Sequence, residues 1–168
     1  MKYRDRTDVE FAALEGCRGV GPGRLSGYSK DGDIVKAAVS GRPLTIAPEP
    51  PLETLYIEDF ASEFVAALLA ESLSWDRYIL GSGVKASLEE IAEVVRREIP
   101  EAEIAFDPDA DSEISFSLPV SDSTRLRDDV GWAPEYTVEE GVLEYIEWAR
   151  ENPEKWSVDP AAYDVSDR

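Results

Sequence analysis

Histidine is absent from the 168 residues, and Cys17 is the only cysteine. The first absence removes the common zinc ligand sets and the serine-histidine and cysteine-histidine hydrolases. The second removes any intramolecular disulfide. No apolar run approaches the roughly 20 residues needed to span a bilayer, and Met1-Lys2-Tyr3-Arg4-Asp5 lacks the apolar stretch of a secretory signal. The expectation is therefore a cytoplasmic chain without a membrane segment. Lysine is scarce, with five against twelve arginines.

Acid, by contrast, is abundant: 36 aspartates and glutamates give a net charge of −19, and they are spread along the chain rather than gathered in a tail. Such a surface repels nucleic acid and anionic lipid, so neither is expected as a partner. It fits either an acidic docking face for a basic partner or a surface that stays hydrated in high salt. Dispersed acid with little lysine favours the second, halophilic reading. A hydrophobic content of 43% in this length suffices for one ordinary core.

The spacing of apolar residues predicts alternating strands and helices. Val9 to Leu14 reads as a short buried strand, preceded over 2–8 by the charged tail of a helix. Gly16 to Gly32 carries six glycines and reads as a long loop. A helix over Asp33–Val39 closing at Gly41, a strand Pro43–Ile46 and the break Pro48-Glu49-Pro50-Pro51 follow. A strand Thr54–Ile57 then runs directly into a helix with Phe60, Ala61, Phe64, Val65, Leu68 and Leu69 expected to face the core. Tyr78-Ile79-Leu80 reads as a strand ending at Gly81-Ser82-Gly83.

Ser87-Leu88-Glu89-Glu90 and Thr137-Val138-Glu139-Glu140 both have the form of a capping box, each opening an amphipathic helix. Between them Ile104-Ala105-Phe106 reads as a strand, Ile114, Phe116 and Leu118 as an alternating edge strand, and Ser123 to Leu126 as a short helix ending near Gly131-Trp132. The acids from Asp107 to Asp111 fit a calcium loop or a solvated turn, and without an EF-hand pattern the turn is favoured. Beyond Pro153 a polar tail is expected over 154–168.

The order of short motifs carries a resemblance. Gly21-Pro22-Gly23-Arg24 resembles the end of the Tyr-Gly-Pro-Gly loop of the extended short-chain dehydrogenases, the NAD-dependent epimerase/dehydratase family acting on nucleotide sugars. Leu55-Tyr56-Ile57-Glu58-Asp59-Phe60-Ala61 resembles its Val-Tyr-Val-Asp-Asp-Val-Ala segment, and Tyr78-Ile79-Leu80-Gly81-Ser82-Gly83 its Tyr-Asn-Ile-Gly-Ser-Gly. Asp122-Ser123-Thr124-Arg125-Leu126 with Val130-Gly131-Trp132-Ala133-Pro134 is similar to Asp-x-Ser-Lys-x followed by Leu-Gly-Trp-x-Pro, and Thr137 to Val142 to Ser/Thr-Leu-Glu-Glu-Gly-Leu. Each motif alone is weak, but five in order over about residues 8–153 are specific.

The resemblance implies an α/β fold comprising the C-terminal, substrate-side portion of such an enzyme: the last Rossmann-sheet strands plus a small α/β substrate-binding domain. In the family the N-terminal half binds NAD(P) and supplies a Tyr-x-x-x-Lys pair, which these residues lack, as they lack a glycine fingerprint between strand and helix. The implied chain binds no cofactor alone, has no catalytic residue and no metal, and is inactive by itself. Its implied partners are a nucleotide-sugar and a separate Rossmann half or a second copy. A non-catalytic interaction module or remnant is the alternative.

Arg18, Arg24, Tyr56 and Ser82 are the substrate-binding candidates carried over from the motifs. Against them, Arg24 can simply pair with a surface carboxylate, Tyr56 can be core, and Gly81-Ser82-Gly83 can be only a turn. The pattern also departs from the family: Leu52 stands where an arginine often pairs with phosphate, Glu15 replaces the usual strand arginine, and Arg18-Gly19-Val20 replaces Asn-Val-Tyr. In an α/β piece of this kind Val9 to Leu14 and Tyr78 to Leu80 are expected to complete a parallel sheet, and an apolar sheet edge is expected to be exposed.

Overall fold

Among the described residues seven short strands pair mostly in parallel, accompanied by six helices. The computed structural model describes residues 11–23, 30–112, 114 and 116–156. The helix tail expected over 2–8, the first residues of the strand expected from Val9, and Arg24 lie outside the described residues.

β1 (Ala13–Glu15) pairs in parallel with β5 (Arg77–Ile79), so the two segments expected to share a parallel sheet do so, the first displaced toward the C-terminus. β2 (Arg18–Val20) lies within the stretch expected to be loop and pairs in parallel with β4 (Leu52–Tyr56). A three-residue strand with Gly19 at its centre has no local signature; its partner makes it a strand. β6 (Lys85–Ala86) pairs antiparallel on the other side of β4, and β3 (Leu44–Ile46) pairs in parallel with β7 (Ile104–Phe106).

α1 (Lys30–Val39), α3 (Leu88–Glu98) and α5 (Val138–Glu151) form the main core, with Ile34, Ile91, Val95, Val142 and Ile146 fully buried. Both capping boxes are formed: the side chains of Ser87 and Thr137 accept from the amides of Glu90 and Glu140, and those glutamates accept from the cap amides in return. α4 (Thr124–Val130) closes on Gly131, whose φ of 69° is the left-handed conformation that ends a helix most easily when the residue is glycine. α6 (Pro153–Trp156) opens the segment expected to be a polar tail, and Trp156 Nε1 donates to the Ala149 carbonyl at 2.8 Å.

Two expectations are corrected. Residues 114 and 116–120 form no strand; Phe116 and Leu118 are 59% and 57% exposed. This stretch is held by side chains instead, with Lys85 Nζ donating to Ser117 Oγ and the Ser121 amide donating to Glu53, so its alternation never meets a ladder.

The second correction concerns α2 (Ile57–Leu68), which faces the opposite way. Asp59, Glu63 and Ala67 are buried, while Val65, Leu68 and Leu69 are 51%, 81% and 75% exposed. β4 runs into α2 without a loop, so the strand fixes the helix's rotation. The inward acids find backbone donors: Asp59 accepts from the amides of Glu135 and Tyr136, and Glu63 from that of Gly81.

Candidate functional site

Gly21-Pro22-Gly23 follows β2 and lines a groove of about 590 Å³ whose floor includes Leu52, Ile57 and Phe60. The turn needs glycine for two reasons. Gly21 has a φ of 140°, and a Cβ there would lie 2.5 Å from Ile57 Cγ2; Gly23 has a φ of 96°. Among the described residues Arg18 is the only charged one lining this groove. Its Nη2 donates to Thr54 Oγ1 at 2.7 Å and to the Ala86 carbonyl at 3.3 Å, joining β2 to β4 and β6, while its Nε is buried without a partner. Arg18 is thus tied to the sheet through Nη2 while it lines the groove.

Behind the groove lies an acidic scaffold that the motifs did not reveal. Glu53 accepts from the amides of Gly83 and Ser121, both at 2.7 Å, and a Cβ at Gly81 would collide with its carboxylate. Glu53 therefore fixes both the Gly81-Ser82-Gly83 turn and the segment before α4. Glu63 accepts from the Gly81 amide at 3.3 Å through Oε1, whereas Oε2 has no partner. Burial, only partly opposed by that hydrogen bond and by Arg127, pushes its carboxyl up to about 7. Burial and then the Glu53 carboxylate push the Cys17 thiol up to about 11, which keeps it neutral and unreactive at ordinary pH. The available signals were Glu53 inside an apolar strand segment, and Asp59 and Glu63 at the i, i+4 spacing of a second helix face.

The three candidates within the described residues, Arg18, Tyr56 and Ser82, do not converge. Ser82 Oγ donates to the Val84 carbonyl and accepts from the Val84 amide, a local turn beside a separate groove of about 500 Å³ that also holds Lys85 and Arg97. Arg97 is paired there with Glu139 at 3.0 Å. Tyr56 is 5% exposed, its ring 4.7 Å from that of Tyr136 and its Cβ against Gly141 of α5, with its hydroxyl 3.5 Å from Glu144. Burial and the neighbouring carboxylates raise its pKa, so it serves as a packing tyrosine rather than a base.

The remaining motif residues hold one another. Asp59 anchors the 135–136 backbone, and Trp132 Nε1 donates to Ser62 Oγ at 2.9 Å, fastening the Gly-Trp-Ala-Pro stretch to α2. Near β7, Asp107 Oδ1 accepts from the Asp109 amide in a turn. Among the described residues no group of three or more suitable side chains could hold a metal ion, and no helix is long and apolar enough to cross a membrane.

No family model matches the chain. Solved structures do. A UDP-glucuronic acid 4-epimerase from Bacillus cereus, in complex with UDP-glucuronic acid and NAD, superimposes with a TM-score of 0.73 at 17% identity, over 89% of this chain and 48% of its own. The fold is that of the nucleotide-sugar epimerases and dehydratases. An epimerase from Methanothermobacter thermautotrophicus gives a TM-score of 0.71 at 20% identity, over 84% of this chain and 43% of its own. A dTDP-glucose 4,6-dehydratase from Bacillus anthracis, in complex with NAD, gives 0.69 at 19% identity, over 86% and 46%. The likeness is one of fold, and the chain spans somewhat less than half the length of these structures. Within that shared epimerase/dehydratase fold, the glycine-loop groove and its Glu53 and Glu63 scaffold are the features of this sequence with chemistry to offer.

Proposed function

We propose that the chain is the nucleotide-sugar-side part of an NAD(P)-dependent epimerase or dehydratase, unable to catalyse without a cofactor-binding half. The observation that carries this reading is the groove at Gly21-Pro22-Gly23, whose one charged liner among the described residues is Arg18 in a chain of net charge −19. A sugar diphosphate would place its negative charge against Arg18, with the apolar floor of Leu52, Ile57 and Phe60 excluding water. Because Leu52 supplies no second cation, the affinity should be modest. The likeness to enzymes that hold UDP-glucuronic acid and NAD supports the substrate class.

The cofactor, when bound to the other half, supplies hydride transfer, which also needs a phenol of lowered pKa as general base. These residues offer neither a dinucleotide fingerprint nor a Tyr-x-x-x-Lys pair, and Tyr56 is held high by burial and acids. Their part is to bind and orient the sugar. The dispersed acid suits a protein working in high salt.

Thermal melting in molar salt against NAD(P) and a panel of UDP- and dTDP-sugars tests this. A nucleotide-sugar at ten times its Kd should stabilise the fold by about 1.4 kcal/mol, while NAD(P) alone leaves the melting temperature unchanged. A shift with NAD(P) alone, or none with any nucleotide-sugar, refutes the reading. The exposed apolar face of α2 favours a second element, assembly with another unit.

A further inference from the structure

The Gly81-Ser82-Gly83 turn is fixed to neighbouring backbone at both ends, the Leu80 amide donating to the Glu15 carbonyl at 2.7 Å and the Thr54 amide to the Val84 carbonyl at 3.0 Å. Between those points its amides go to side chains. Gly81 donates to Glu63 at 3.3 Å, Gly83 donates to Glu53 at 2.7 Å, and the Ser82 amide turns to the sulfur of Cys17. Glu53 also accepts from Ser121, so it ties the turn to the strandless segment that leads to α4.

The two acids meet at one residue. A Cβ on Gly81 would lie 2.4 Å from Glu53 Oε1, and the Gly81 amide already bonds Glu63. Both side chains are buried, and among the described residues neither forms an ion pair. Glu53 has a backbone donor on each oxygen, whereas Glu63 leaves Oε2 without a partner. Two buried charges this close repel each other, so the less well satisfied acid is the one that keeps a proton.

We propose that Glu53 and Glu63 form a proton-operated latch: with Glu63 protonated the 81–83 turn is shut, and with both acids ionised it swings open about Leu80 and Val84, hydrating Glu63. The latch goes beyond the nucleotide-sugar reading and stands without it. Ser82 and Val84 line the groove of about 500 Å³ and Cys17 the groove of about 590 Å³, so its opening reaches both.

The surroundings of Glu63 set the direction. Burial opposes its ionisation most, and Glu53 of β4 and Asp59 of α2 add to that; the Gly81 amide and the exposed Arg127 of α4 favour ionisation. Cys17 is neutral, and Arg18 of β2 is turned to Thr54 and Ala86. The shut turn therefore holds the proton up to about pH 7, against 4.5 for a carboxyl in water. A value raised in the shut state means that closure is fully favoured below about pH 4.5 and is lost as pH rises through about 7. From pH 6 to 8 the ratio of open to shut molecules should grow by up to about tenfold.

Amide exchange followed by NMR on the whole chain, corrected for its intrinsic pH dependence, tests this, with the Val95 amide in the main core as the reference for global opening. From pH 6 to 8 the amides of Gly81, Gly83 and Ser121 should lose up to about tenfold in protection relative to Val95. Glu63→Gln should abolish that relative loss. The carboxyl carbon shift of Glu63, read in the unaltered chain and so independent of whether the variant folds, should titrate near pH 7. A Glu63 that titrates near 4.5, turn amides that keep pace with Val95, or a relative loss that persists in Glu63→Gln overturns the proposal.

Discussion

Replacing Glu63 by glutamine should raise stability at pH 8 and leave it unchanged at pH 4. The side chain is fully buried on the inward face of α2, with Oε1 accepting from the Gly81 amide and Oε2 unpartnered. Burial is the main cause that lifts its pKa from 4.5 to about 7, with Glu53 and Asp59 adding to it. A raised folded-state value means that the folded protein holds the proton longer than the unfolded chain. The associated stability is fully present below about pH 4.5 and is lost as pH rises through about 7. The gap corresponds to at most about 3 kcal/mol. Relaxation and water around the carboxylate reduce it to about 1–2 kcal/mol. Glutamine keeps the acceptor for Gly81 and carries no charge, so it mimics the protonated acid. Since 36 acids titrate together, the quantity to follow is the difference between the two proteins in denaturant melts across pH 4 to 8. A difference that is flat with pH, or a variant less stable at pH 8, would show that Glu63 is not the strained acid its burial implies.

Gly141→Ala should lower stability by about 1–2 kcal/mol in thermal melts, because its Cβ would lie 2.9 Å from Tyr56 Cβ, Cγ and Cδ2, and overpacking outweighs the helical preference of alanine. Thr137→Ala removes the cap of α5 and should cost about 1 kcal/mol, read in the same melts. Arg18→Lys loses the two bonds from Nη2 to β4 and β6, so the ligand-free protein should melt with about 1 kcal/mol less stability. If Arg18 also meets phosphate, the shift produced by a nucleotide-sugar should shrink as well; an unaltered shift assigns it to the sheet alone.

What the sequence by itself determined is what local rules encode. Ser87 and Thr137 announce their helices because a cap hydroxyl and the third-position glutamate are enough to close the first turn. Gly131 ends α4 because its φ is positive, and the motif order brought β1 beside β5. The tertiary structure decided the rest. β2 and β6 exist through their pairing with β4, which no three-residue window can foresee. Residues 116–120 had the alternation of a strand but no ladder to join. Most of all, the amphipathic pattern of α2 identified an apolar stripe without saying which way it would face. β4 set the rotation, the backbone donors at Gly81, Glu135 and Tyr136 drew Glu63 and Asp59 inward, and Leu68 and Leu69 were left exposed. The periodicity of a sequence fixes the angle between residues on a helix, whereas the direction in which that face points depends on what is packed against it.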